Sequence, residues 1–402
     1  MTSPQLLVRT LAPSEVFYFR SGVYIGYATQ VRGTLDSAAL AQAFEILRKT
    51  YPILSARLVL DPTNQPSIEA APGLPAAIDE VAGPIDDPLF GLPELKGHAA
   101  AIHTVHGNGD TAVVTLLTHH SIADGHHSLY LLSELWKLYT ACAAYTATAP
   151  QRHDFPYSLE QLLDQRGIDA VPLTDLSDLD AFAAFPGVDN PPHPPERVRI
   201  RLSAADTVAL LATGRSHETT INGLVSAALL AATAQSRGID IDTLHYTYPV
   251  DLRTRLTPRI GYPEGTNVLG IAHFVADPHS DDDLLALARS VTSTLREGLA
   301  TGELFTGSDQ FMSSADELLT SAEGLSRIVV STNWGVIPRF ATPADLTIED
   351  FLPAMPNTLM SPLAAHVITT YDGQLTIDTA DSAPDESRLL ADHLHNLARL
   401  AQ

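Results

Sequence analysis

Thr118-His119-His120-Ser121-Ile122-Ala123-Asp124-Gly125-His126-His127 is the stretch on which the reading of this chain turns. Upstream, Thr111 to His119 has a strand pattern, and Ala99 to Val105 pairs with it as a hairpin across Gly107-Asn108-Gly109-Asp110. Downstream, Ser128, Leu131, Leu132, Leu135 and Tyr139 recur along one helical stripe, so a helix is expected from about Gly125 to Tyr139. The stretch is therefore a strand–loop–helix corner. Alternation sends His119 and His120 to opposite faces of the strand, and the two rings cannot both serve one site. Asp124 is placed to cap the helix or to fix the loop by pairing with a cation, and Gly125 permits close backbone approach. An imidazole that titrates near neutral pH, beside a geometry-fixing carboxylate, suits general-base work on a hydroxyl or an amine. A metal is not expected, because His119 and His120 diverge and His126 and His127 stand about 100° apart on a helix. No H-E-x-x-H arrangement is present here.

Working outward, both halves of the chain interleave strand and helix patterns. Asp36 caps a helix with Leu40, Phe44 and Leu47 on its apolar face, and Ile53 to Leu60 reads as a strand after Tyr51-Pro52. Ser203 with Asp206 opens a second-half helix, and Thr220 opens another that stops at Gly238. Strands are expected at Leu244 to Val250, Val268 to Val275 and Arg327 to Thr332. A hairpin follows, Ala365 to Thr370 and Gln374 to Thr379 around Asp372-Gly373, then a helix from about Glu386 to Ala401. The fold class is α/β with mixed sheets. Between the halves, Ala184 to Pro195 holds five prolines in its last ten residues and reads as a stiff linker. The expected organisation is 1–183, a linker at 184–195, and 196–402.

Composition narrows the function classes. Lys plus Arg total 24 against 47 Asp plus Glu, a net charge of −23, so the summed field repels nucleic acid and anionic membrane. The longest apolar stretch, Ile221 to Ala234, is broken by Asn222, Gly223, Ser226 and Thr233, and no membrane span is expected. The first residues lack a basic region followed by an apolar core, and a cytoplasmic location is expected. One cysteine, Cys142, excludes an internal disulfide and lies beyond the expected helix, away from a partner that would activate it. No Gly-x-Ser-x-Gly elbow and no nucleotide-binding glycine pattern in a suitable setting is present.

The run His119-His120-Ser121-Ile122-Ala123-Asp124-Gly125 matches the HHxxxDG motif of the superfamily of chloramphenicol acetyltransferase, peptide-synthetase condensation domains and plant acyltransferases. Within it, the chain most resembles the polyketide-associated acyltransferases of the phthiocerol dimycocerosyl transferase type. His126-His127, the helix to Trp136, Tyr248-Pro249-Val250-Asp251-Leu252-Arg253 and Ser331-Thr332-Asn333-Trp334-Gly335 carry that likeness. The resemblance implies two chloramphenicol-acetyltransferase-like domains with a tunnel at their interface and a crossover segment near 331–362. It implies His120 as general base, with His119 and Gly125 shaping the site and Asp124 held in a salt bridge rather than relaying protons; Arg253 is the expected partner, the competing reading being a surface cation like the nearby Arg255 and Arg259.

The reaction so implied moves an acyl group from a coenzyme A or acyl-carrier-protein thioester to a hydroxyl of a polyketide, lipid or other secondary metabolite, without an acyl-enzyme. No permanently bound cofactor is expected, and a carrier protein or polyketide synthase is a candidate partner. Amide formation of the condensation-domain kind and a catalytically inactive binding module are the alternatives. Asn333 or the backbone around Trp334 is a candidate oxyanion donor, competing with a plain turn after a strand. Because thioester carriers are anionic, docking on so acidic a chain calls for a local cationic patch. Arg197, Arg199 and Arg201 share one strand face, and Arg255 and Arg259 lie beyond Arg253; each group reads equally as a solvated face.

Overall fold

The computed structural model describes residues 6–20, 22–95, 97–148, 151–169, 197–278, 283–305, 318, 322–355, 365–380 and 384–401. In the first half the elements are β1 (Leu6–Thr10), α1 (Pro13–Arg20), β2 (Tyr24–Gly33), α2 (Ser37–Thr50), β3 (Ala56–Leu60), β4 (Pro66–Ala70) and β5 (Ala77–Ala82). They continue with β6 (Ala100–His106), β7 (Thr111–His119), α3 (Gly125–Ala143) and α4 (Leu159–Asp164). Next come β8 (Arg197–Arg201), α5 (Ala204–Ser216), α6 (Ile221–Arg237), β9 (His245–Asp251), β10 (Leu269–Val275) and α7 (Leu284–Thr301). The last are α8 (Ala322–Leu325), β11 (Ile328–Val336), β12 (Leu346–Ala354), β13 (Ala365–Tyr371), β14 (Gln374–Ala380) and α9 (Pro384–Arg399). The proline-rich segment 184–195 lies outside the described residues.

Two compact units result. The first takes residues 1–168, but also 253–268 and 338–359. Its main sheet runs β12-β2-β7-β6-β5, antiparallel except for the parallel β5/β6 pair, and β1-β4-β3 form a separate antiparallel sheet. β7 lies between β2 and β6 in this sheet. α2 starts where the Asp36 carboxylate accepts the Ala38 and Ala39 N–H groups. α3 packs along it, and the Tyr139 hydroxyl accepts the Asp36 N–H at 3.0 Å.

The second unit has one six-stranded mixed sheet, β10-β9-β11-β13-β14-β8, in which β11 is parallel to both its neighbours. α6 is a largely buried helix capped by Thr220 and closed by Gly238 at φ 63°, a left-handed conformation that glycine adopts without a Cβ clash. Leu224, Leu229, Tyr246, Phe274, Val291 and Leu394 lie in one buried core with it. Between β9 and β10 the chain leaves this sheet, supplying residues 253–268 to the first unit, and after β11 it supplies β12.

Three local readings are corrected. Pro52–Ser55 forms a 3₁₀ turn rather than the start of a strand, because Pro52 at its first position presets a helical φ. The strand expected to end at Thr332 runs to Val336. Asn333 to Gly335 are a bulge inside it, where the Asn333 Oδ1 accepts the Gly335 N–H at 2.8 Å and Gly335 takes φ 74°. Cys142 lies in the last turn of α3, not beyond it, since that helix continues to Ala143; burial pushes its thiol up.

Candidate active site

Tyr24 of β2 stands opposite His119 at the end of β7. The His119 ring is buried edge-on to Tyr24, with centroids 4.8 Å apart, and its Nδ1 accepts the Ser121 N–H at 3.2 Å. Burial, with His120 alongside, pushes this imidazole down to about 3, so it stays neutral well into acid.

His120 comes one residue later and has different neighbours. Its N–H donates to the Val23 carbonyl at 2.7 Å, and its ring is half-buried. Tyr18, on α1, lies flat against the ring at 3.8 Å between centroids and 3° between planes. At the ring edge, Nδ1 is 3.0 Å from Asn267 Oδ1, while Asn267 Nδ2 donates to the His120 carbonyl at 2.7 Å. Burial lowers the His120 pKa, against opposing pulls from its own carbonyl, Asp124 and Asn267. The ring is therefore the neutral, base form at neutral pH.

Asp124 is the N-cap of α3 and is fully buried. Oδ1 accepts the His127 N–H at 3.0 Å, while Oδ2 accepts Arg253 Nη1 at 2.6 Å and the Val268 N–H at 2.9 Å. Burial alone raises this carboxyl; the Arg253 charge and hydrogen bond, with the His127 N–H, outweigh it and hold the group below its ordinary value. The ion pair expected with Arg253 is thus made, and Arg253 is itself only 1% exposed with Tyr262 beneath its guanidinium at 6.0 Å. Gly125 is the first residue of α3. His127 is buried and pushed down to about 3 by desolvation, then by Arg253, and His126 stacks on Tyr262 at 6.4 Å.

Three contributors, Glu15, Tyr18 and Asn267, have no site role in the sequence reading. Glu15 on α1 is fully buried and accepts both Arg9 guanidinium nitrogens at 2.6 and 2.7 Å, the Ala12 N–H at 2.9 Å and the Thr266 hydroxyl at 2.6 Å. Its carbonyl takes the Ser121 hydroxyl at 2.8 Å. α1 is thereby bonded to the HHxxxDG loop and to the residue preceding Asn267, and it presents Tyr18 to the base. Pro13 followed by Glu15 is a helix-start signal for α1, but nothing local marks Tyr18 or Asn267 as neighbours of His120.

The remaining candidates belong to both units. Asn333 and Trp334 belong to the second unit, where the Asn333 amide donates to Asn222 Oδ1 at 3.2 Å. Arg199 is held by Asp378, its cross-strand partner, through two bonds of 2.8 and 3.1 Å, and Arg201 is exposed at the end of β8. The side chain of Arg197 lies outside the described residues. Arg255 and Arg259 are exposed in the first unit, in a loop closed by the Ile260 N–H on the Arg253 carbonyl. Arg166 donates twice to the Pro258 carbonyl of that loop. Among the described residues no helix is long and apolar enough to cross a membrane.

Residues 191–380 match the family model described as the phthiocerol/phthiodiolone dimycocerosyl transferase C-terminus. The phthiocerol/phthiodiolone dimycocerosyl transferase of Mycobacterium leprae is 31% identical over 399 residues, which cover 92% of this chain and 92% of that one. The chain belongs to the phthiocerol/phthiodiolone dimycocerosyl transferase family. Like the family's named members, it is an acyltransferase. Polyketide synthase associated protein 5 from Mycobacterium tuberculosis superposes with a TM-score of 0.80 and 27% identity, over 100% of this chain and 99% of that one. The first condensation domain of the calcium-dependent antibiotic synthetase shares the fold, with a TM-score of 0.67 and 14% identity over 100% and 97% of the two chains. The two mixed-sheet units are those of the chloramphenicol-acetyltransferase-like fold expected from the motif.

Proposed function

We propose that this chain moves an acyl group from a thioester to a hydroxyl of a polyketide, lipid or related secondary metabolite, with His120 as general base. The neutral, half-buried His120 ring, locked between Tyr18 and Asn267, is the observation that carries the reading. The names of its relatives support the class of substrate: dimycocerosyl transferases, and a protein associated with polyketide synthase.

In the proposed step the acceptor O–H proton passes to His120 as the oxygen attacks the thioester carbonyl. The tetrahedral species collapses with cleavage of the C–S bond, and the imidazolium returns its proton to the departing sulfur. No acyl-enzyme is required, because holding donor and acceptor together removes much of the entropic barrier. Asp124 is not a relay in this scheme. Both its oxygens are occupied by His127, Val268 and Arg253, so it fixes the loop that ends in α3.

The donor is a coenzyme A or carrier-protein thioester. Of the two arginine groups, Arg255 and Arg259 suit an anionic carrier better. They are exposed without an ion pair among the described residues, whereas Arg199 is neutralised by Asp378. On a chain of net charge −23 such a patch supplies short-range docking rather than long-range steering.

Incubating the purified chain with acetyl-, octanoyl- and palmitoyl-CoA, each with 1-octanol or octylamine, and following free thiol and product mass tests the reading. Ester formation that disappears in His120→Ala is the expected result. Near-native turnover by a folded His120→Ala protein refutes the base assignment, and amide with no ester refutes the acceptor class.

A further inference from the structure

We infer that Asn267 selects the tautomer of His120, placing the ring proton on Nδ1 and leaving Nε2 as the basic nitrogen. This rests on His120 being the base and goes beyond it, since it names the side chain that holds the ring in its acting tautomer.

The His120 carbonyl can only accept, so the Asn267 atom 2.7 Å from it is the NH₂ group. The amide is planar, and its oxygen then faces His120 Nδ1 at 3.0 Å. That oxygen also only accepts, so Nδ1 must carry the hydrogen. The flipped amide would set two carbonyl-type oxygens against each other, so chemistry rather than atom naming fixes the orientation. Nε2 is left with a free lone pair. The opposite tautomer carries its hydrogen at Nε2, where it blocks proton abstraction from an alcohol.

The adjacent ring holds the reverse arrangement. His119 Nδ1 accepts the Ser121 N–H, so its hydrogen is on Nε2. Neighbouring histidines therefore carry opposite tautomers, each set by its own partner. Asn267 is itself held: Thr266, one residue before, is bonded to Glu15 and Tyr157, and Val268, one residue after, to Asp124. The titratable or charged groups around the base are Tyr18 on its face, His119 beside it in the chain, and Asp124 with its Arg253 partner. Among the described residues Asn267 is the side chain that hydrogen-bonds the ring, and the ring's own carbonyl, which can only accept, favours the same tautomer.

The test uses the full chain labelled with ¹⁵N-histidine, whose ring shifts report which nitrogen is protonated; His120→Gln and His119→Gln assign the two signals. In the native protein His120 is expected as Nδ1–H and His119 as Nε2–H. Asn267→Leu is expected to move His120 toward Nε2–H, leave His119 unchanged, and slow transfer from octanoyl-CoA to 1-octanol roughly ten- to a hundredfold, the range for losing one buried bond and orphaning its partner. Asn267→Asp keeps an acceptor at Nδ1 and favours the imidazolium, so activity is lost at a higher pH on acidification. A native His120 protonated on Nε2, or an Asn267→Leu protein with tautomer and turnover both unchanged, overturns the inference. An active His120→Ala protein instead overturns the base assignment, whatever the tautomer.

Discussion

Replacing Arg253 by Met removes the cation from a pair in which the guanidinium is 1% exposed and the carboxylate 0%. With charge centres about 4 Å apart and an effective dielectric near 20, the attraction lost is about 4 kcal/mol. Breaking one side of a buried pair costs about 3–5 kcal/mol, because the remaining charge is stranded. Two backbone N–H groups still reach Asp124, which places the expected penalty near the lower end, about 3 kcal/mol. A chain of two units need not unfold in one step, so a local probe is preferable to a global melt. Amide exchange at His127 and Val268, whose N–H groups both end on Asp124, is that probe. Their exchange should quicken roughly hundredfold at neutral pH, at about 1.36 kcal/mol per decade.

The pH dependence sharpens this prediction. In the native protein Asp124 sits below its unfolded value of about 3.9, so its stabilisation is complete above that pH and fades as pH falls through the folded pKa. Without Arg253, burial prevails and raises the carboxyl, so protonation relieves the variant on mild acidification. The difference between variant and native exchange should therefore narrow from pH 7 toward pH 4. Unchanged exchange at pH 7, or a difference that widens on acidification, would refute the reasoning.

Two further outcomes follow from the same geometry. His119→Ala leaves the buried Ser121 N–H without its acceptor and should cost about 1–3 kcal/mol in local opening of the loop. Since His119 is neutral down to about 3 when folded but titrates near 6.5 unfolded, the native protein loses stability as pH falls between those values. The variant should lack that part of the acid sensitivity, read from amide exchange at Ser121 at pH 7 and pH 5. Arg255→Glu with Arg259→Glu should weaken binding of an acylated carrier protein about tenfold or more at low salt. Equal carrier affinity for native and variant in fluorescence titration would remove that patch.

What could be read directly in the residues is what short-range chemistry decides. The β6–β7 hairpin, the Asp36 cap, the Thr220-to-Gly238 helix and the Asp372-Gly373 turn each depend on bonds between residues a few positions apart. So does the strand–loop–helix corner that holds His120 and Asp124. The long strand β2 and its pairing with β12, which lies within the expected crossover segment, are not legible locally, because Phe351 becomes a neighbour of Thr29 only after the chain has folded. Arg253 came from a family likeness, since nothing in its own vicinity separates a buried cation from the exposed Arg255 and Arg259.

The sequence by itself determined that an imidazole would stand at the end of a strand, with a carboxylate capping the next helix, because alternation and capping are local. Tertiary structure alone decided that Asn267, 147 positions away, meets Nδ1, that Tyr18 covers the ring face, and that Asp124 is spent on Arg253. The physical reason is desolvation. Which polar groups must find partners, and which titrate away from their ordinary values, is settled only when folding has removed the water that would otherwise satisfy them.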